Sequence, residues 1–101
     1  MNNLIGKVLG WAMDRQLLGS SQDKKLAQLG KTTEEVGELA GAVLRGDFDE
    51  VKDGIGDVTV TLIILAQQHG LTLEQCLDHA YCQIKGRTGV TISGVFLRDD
   101  E

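Results

Sequence analysis

Six carboxylates pose the chemical question: Glu34, Glu35 and Glu38, then Glu50, Asp53 and Asp57. At 3.6 residues per turn each trio falls within one arc of a helix, and a short loop separates the two arcs. Like charges at these spacings repel by about 0.2–0.5 kcal/mol per pair, so a helix that needed only stability would gain by alternating them with Lys. The pattern suggests a divalent cation held between two helices. Oxygen-only ligands suit Mg²⁺, with Mn²⁺ as a substitute, since these ions keep several waters and are commonly shared with substrate phosphates. For either trio alone, the competing reading is a solvated helix face.

Two helices must bring the trios level. The apolar arc of the first holds Leu29, Val36, Leu39, Ala40 and Val43, and that of the second Val51, Ile55, Val58, Leu62 and Ala66. Counted from the turn near Gly46 and Asp47, Glu38 lies about eight residues back and Asp57 about ten forward, similar heights at 1.5 Å per residue. The full reading is four helices over about 3–18, 23–44, 48–69 and 73–85, with a tail over 86–101. Gly46 is placed to cap the second helix in the left-handed region. Asp47 with Glu50, and Thr72 with Gln75, have capping-box spacing. Gly30 and Gly37 weaken their helix, so their expected use is close helix approach. The β-branched run Val58–Leu65 would pass for a strand in isolation, but the arcs on either side continue through it, so it reads as buried helix. The tail alternates Val90, Ile92, Val95 and Leu97 with polar residues, as an extended arm or small hairpin does.

With 101 residues, no proline, 42% hydrophobic and 4% aromatic residues, the chain reads as one all-α domain whose modest core needs a partner to complete its burial. A net charge of −5 repels nucleic acid and anionic membranes. The longest apolar run, Val58–Ala66, is too short to span a bilayer. The stretch Met1–Met13 is broken by Gly6 and Gly10 and does not read as a secretion signal. Cys76 and Cys82, six apart, fall on different helix faces and read as buried thiols, which places the chain in the cytoplasm.

The segment Gln28-Leu-Gly-Lys31-Thr-Thr-Glu34-Glu35-Val-Gly-Glu38, followed by Asp53-Gly-Ile-Gly-Asp57, resembles the MazG-like all-α nucleoside triphosphate pyrophosphohydrolases, above all their short, single-domain, phage-type branch. The likeness runs from Trp11 through Tyr81 to Lys85, Arg87 and the Gly94-Val-Phe96 tail. The family signature pairs E-x-x-E with E-x-x-D. Glu35, Glu38 and Asp57 match it, while Gly54 stands where a Glu is expected, leaving neighbouring Asp53 as the substitute. Glu50 is a second substitute, with helix capping as its simpler role. Cys82 replaces an Asn that relatives often carry near the nucleotide.

The resemblance implies a four-helix bundle that hydrolyses an NTP or dNTP to the monophosphate and pyrophosphate, as in nucleotide-pool house-cleaning. It implies Glu34, Glu35, Glu38, Asp53 and Asp57 as metal ligands, with Glu35 and Glu38 as the catalytic pair and Glu35 taking or orienting the proton of the attacking water. Lys85 and Arg87 stand where relatives place phosphate contacts. Lys31, on the arc of Glu34 and Glu38, is a further phosphate candidate, and Gln28 a nucleotide contact. Trp11 either packs in the core or stacks on the base. The family also implies a homodimer or homotetramer. The alternative is a helical dimer that has lost catalysis and acts as a binding or regulatory module, with Gly54 and Cys82 marking the loss. A di-iron carboxylate bundle is disfavoured because no Glu-x-x-His pair occurs.

Overall fold

The computed structural model describes residues 2–99; Met1, Asp100 and Glu101, which fall within the expected domain and its tail, lie outside the described residues. The order is α1 (Asn2–Asp14), α2 (Gln22–Arg45), α3 (Phe48–Gln68), α4 (Leu73–Ile84), β1 (Gly89–Ile92) and β2 (Val95–Arg98). Helix α2 starts where Ser21 Oγ accepts from the Lys24 amide at 3.3 Å. It ends at Gly46 with φ 69°, where Gly46 N donates to the Val43 carbonyl and Asp47 N to the Ala42 carbonyl. Those two bonds form a Schellman cap. The Asp47 carboxylate then accepts from the Glu50 amide at 3.1 Å and opens α3. Closing one helix and opening the next within two residues turns α2 and α3 into a tight antiparallel hairpin, the largest helix contact in the fold.

The seam between these helices follows a seven-residue spacing. Gln28, Glu35 and Ala42 are buried on α2, and Gly54, Thr61 and Gln68 on α3. A period of 3.5 keeps one stripe on the partner helix along the whole contact. The close approach predicted for Gly30 and Gly37 occurs at Gly54 instead. A Cβ there would lie 3.0 Å from Leu39 Cδ1 and 3.3 Å from its Cα, whereas at Gly30 and Gly37 it would meet no described atom within 4 Å. Of the expected apolar arc of α2, Leu39 meets α3 at Gly54, but most of the rest turns away from the core. Leu29, Val36 and Val43 are exposed because the seam is built from the polar and small stripe beside them.

Helix α1 lies on α3 and buries Ile5 and Ala12. It stops at Asp14 rather than near Leu18. Gln16 takes φ 61° and Leu17 N returns to the Ala12 carbonyl, a Schellman closure without glycine and so without its usual sequence signal. Gln68 Nε2 donates to the Leu17 carbonyl at 2.9 Å, tying the end of α1 to α3.

Helix α4 carries the complete capping box of Thr72 and Gln75 but buries no residue. Cys76 and Cys82 are therefore exposed, not the buried thiols expected. The tail is an antiparallel hairpin pairing Val90 with Leu97 and Ile92 with Val95. Ser93 and Gly94, both at positive φ, make the two-residue turn that matches strand twist. The hairpin packs against no helix among the described residues.

Candidate functional site

Because Gly46 and Asp47 set the register of the α2–α3 hairpin, five of the six carboxylates line one cleft. Glu34 and Glu38 come from α2, and Glu50, Asp53 and Asp57 from α3, around a cavity of about 570 Å³. Gly37, Gly41 and Gly54 also line it, and their lack of side chains keeps the floor open between the charged walls. Among the described residues, Glu38, Asp53 and Asp57 have neither an ion-pair nor a hydrogen-bond partner. No three His, Cys, Asp or Glu side chains among the described residues stand close enough to hold a metal ion between them.

Glu35 lies elsewhere. It is 8% exposed, in the seam toward α3, with its carboxylate 3.2 Å from Lys31 Nζ. Lys31 also reaches Glu34 at 3.4 Å and does not line the cleft. The hydrogen bond to Glu35, then that to Glu34, raises the Lys31 pKa above its ordinary 10.5. A raised lysine pKa stabilises the fold below the unfolded value, and that contribution disappears as pH rises through the folded one. The melting-temperature difference between wild type and Lys31→Met should therefore be constant at neutral pH and shrink above about pH 10.5.

Gln28, expected at the nucleotide, is buried and donates to the Thr61 carbonyl at 3.2 Å, joining α2 to α3. Trp11 is outside the core at 46% exposure, with the Arg15 guanidinium 4.2 Å from its ring centroid. With Leu4, Lys7, Val8 and Val60 it lines a largely apolar pocket of about 410 Å³. Asp57 borders this pocket as well as the acidic cleft, so the two adjoin. Lys85 and Arg87 line no part of the cleft; Arg87 flanks a separate recess with Thr88 and Asp99 at the base of the hairpin.

Sequence reasoning passed over Arg45. It lines the cleft and forms an ion pair with Glu50. Glu50 thus turns its carboxylate to Arg45 and leaves the N-cap to Asp47, so the reciprocal half of the expected capping box is not made. The available signal was their position on either side of a two-residue turn.

A family model for the MazG nucleotide pyrophosphohydrolase domain matches residues 24–91. The chain belongs to the MazG family. The match covers both acidic walls together with α4, Lys85 and Arg87, and leaves α1 with Trp11 outside it. The chain is also similar to an uncharacterized 18.2 kDa protein from the rep-hol intergenic region of Haemophilus phage HP1 (strain HP1c1), with 41% identity over 69 residues. That alignment covers 68% of this MazG-family chain and 41% of the phage protein, so the chain spans less than half of that relative. No solved structure matches.

Proposed function

We propose that this MazG-family chain hydrolyses nucleoside triphosphates to the monophosphate and pyrophosphate in the cleft between α2 and α3. The observation that carries the reading is the set of unpartnered carboxylates, Glu38, Asp53 and Asp57, facing one open cavity on the two helices of the family match. Acceptor-only oxygens without a cation beside them fit Mg²⁺ or Mn²⁺. Such an ion, when bound, would neutralise phosphate charge and acidify the attacking water.

Glu38 and Asp57 hold the centre of the site, with Glu34 and Asp53 beside them. Of the two glutamates expected to handle the proton, Glu38 opens on the cleft and is given the water, while Glu35 anchors Lys31 from the seam. The base rests in the apolar pocket beside Trp11, and the phosphates run past Asp57 into the acidic cleft. The test is pyrophosphate release by the purified protein against canonical and modified NTPs and dNTPs, with Mg²⁺, with Mn²⁺ and with chelator. Metal-dependent release supports the reading and ranks the substrates. No release across the panel favours the non-catalytic binding module, the alternative that Gly54 supports.

A second copy completes the fold in this reading. Val90, Ile92, Val95 and Leu97 share one face of the hairpin, all exposed, and a lone two-stranded hairpin is at best marginally stable in water. Exposed Leu77, Tyr81 and Ile84 extend the apolar surface onto α4. Lys85 and Arg87, at the junction of α4 and hairpin, then meet the phosphates in the neighbour's cleft. Light scattering after size exclusion should give a dimer or tetramer, and Ile92→Glu should shift it toward monomer; an unchanged mass would remove the hairpin from the interface.

A further inference from the structure

Arg45 is the only basic side chain lining the acidic cleft among the described residues. Lys31 is turned to Glu34 and Glu35, Lys85 and Arg87 line no part of the cleft, and Lys7 borders the adjoining Trp11 pocket, at the base end, instead of the cleft itself. Its guanidinium lies over Gly41, where a Cβ would sit 3.1 Å from Arg45 Nη1. The fold presents this guanidinium deliberately close to Glu50, because the turn at Gly46 and Asp47 sets the last residue of α2 opposite the first turn of α3.

Position along the cleft indicates what Arg45 would touch. Arg45 lies two helical turns beyond Glu38, and Glu50 two turns before Asp57, about 10 Å along each helix at 1.5 Å per residue. Asp57 adjoins the Trp11 pocket, so Arg45 and Glu50 mark the opposite end. The distance is of the order of an extended triphosphate tail. With the base at Trp11, the terminal phosphates arrive at Arg45.

The Arg45–Glu50 pair is open to solvent, its side chains 59% and 53% exposed. Exposed pairs of this kind contribute little to stability, so a more highly charged partner displaces the carboxylate readily. A guanidinium matches phosphate oxygens with two parallel N–H donors, a geometry that lysine lacks. Resting on the pyrophosphohydrolase reading above, we infer that Arg45 binds the β- and γ-phosphates of the substrate and hence the pyrophosphate product, and that Glu50 is its tether in the empty cleft rather than a metal ligand. The site thereby distinguishes triphosphates from nucleotides with shorter tails.

The test is calorimetric titration of inorganic pyrophosphate with Mg²⁺ into wild type, Arg45→Ala, Arg45→Lys and Glu50→Gln, with Lys52→Ala as a control for lost positive charge on an exposed site outside the cleft. Circular dichroism checks the fold of each. The expected result is tenfold or greater weakening in Arg45→Ala, partial recovery in Arg45→Lys, and equal or tighter binding in Glu50→Gln. In turnover, Arg45→Ala should raise KM for the triphosphate more than it lowers kcat, and should weaken product inhibition by pyrophosphate. Pyrophosphate bound equally by wild type and Arg45→Ala, or not bound by wild type, overturns the assignment. Weakening no greater than in Lys52→Ala overturns it as well. Pyrophosphate release with KM unchanged in Arg45→Ala removes Arg45 while leaving the hydrolase reading intact. Wild type that binds pyrophosphate through Arg45 but releases none from any triphosphate removes the hydrolase reading instead.

Discussion

Asp57→Asn and Glu38→Gln should each lower kcat for pyrophosphate release by about 10²-fold or more, with little change in melting temperature. Both substitutions keep side-chain size and remove one charge. Neither carboxylate has a partner among the described residues, so the fold loses no ion pair or hydrogen bond. What is lost is the negative charge that would hold the cation against the phosphates, and in Glu38 the acceptor for the water proton. Asp57 also borders the Trp11 pocket, so its loss should raise KM as well as lower kcat. Steady-state assays at several Mn²⁺ concentrations separate these effects. If excess Mn²⁺ restores the rate in Asp57→Asn, the defect is cation affinity; a rate that neither variant lowers would move the chemistry out of this cleft.

Gly54→Glu, which supplies the glutamate that the resemblance leads one to expect there, should destabilise the protein and bring no gain in turnover. Gly54 is buried in the seam, where even a Cβ would press on Leu39 at 3.0 Å from Cδ1 and 3.3 Å from Cα. The Cδ1 methyl can rotate aside; the Cα belongs to the α2 backbone and cannot. Overpacking of this kind costs about 1–3 kcal/mol, against which the improved helix propensity returns at most about 1 kcal/mol. A net loss near 1 kcal/mol lowers the melting temperature by about 4–8 °C in a domain of this size. Thermal denaturation followed by circular dichroism decides the stability. A Gly54→Glu variant that melts like wild type and turns over faster would mean that the glycine is a lost ligand rather than a packing requirement.

The all-α class and the four helices could be read locally, because their signals are local. Caps at Asp47 and Thr72, the terminating Gly46 and the 3.6-residue repeat act within one or two turns, and they placed α2, α3 and α4 close to their observed limits. The β-branched run of α3 was resolved by the periodicity on both sides of it. The end of α1 was not legible, since Gln16 enters the left-handed region without the glycine that usually announces it. Cysteine burial failed for another reason: α4 has an amphipathic sequence and meets α3, but that contact buries none of its residues.

For the site, the sequence by itself determined which carboxylates exist and that a two-residue turn sets their helices side by side. It also carried the likeness to MazG that the family match bears out. Only the tertiary structure decided the rotation of each helix about its axis. That rotation sent Glu35 and Gln28 into the seam, turned Leu29, Val36 and Val43 outward, opened Glu38, Asp53 and Asp57 onto one cleft, and placed Arg45 among them. The physical reason lies in the closeness of the two possible seams. On α2 a polar and small stripe and an apolar stripe run side by side, about one residue apart, and a shift of one residue turns a helix by about 100°. Local periodicity cannot choose between them; the close contact of Gly54 on Leu39 does.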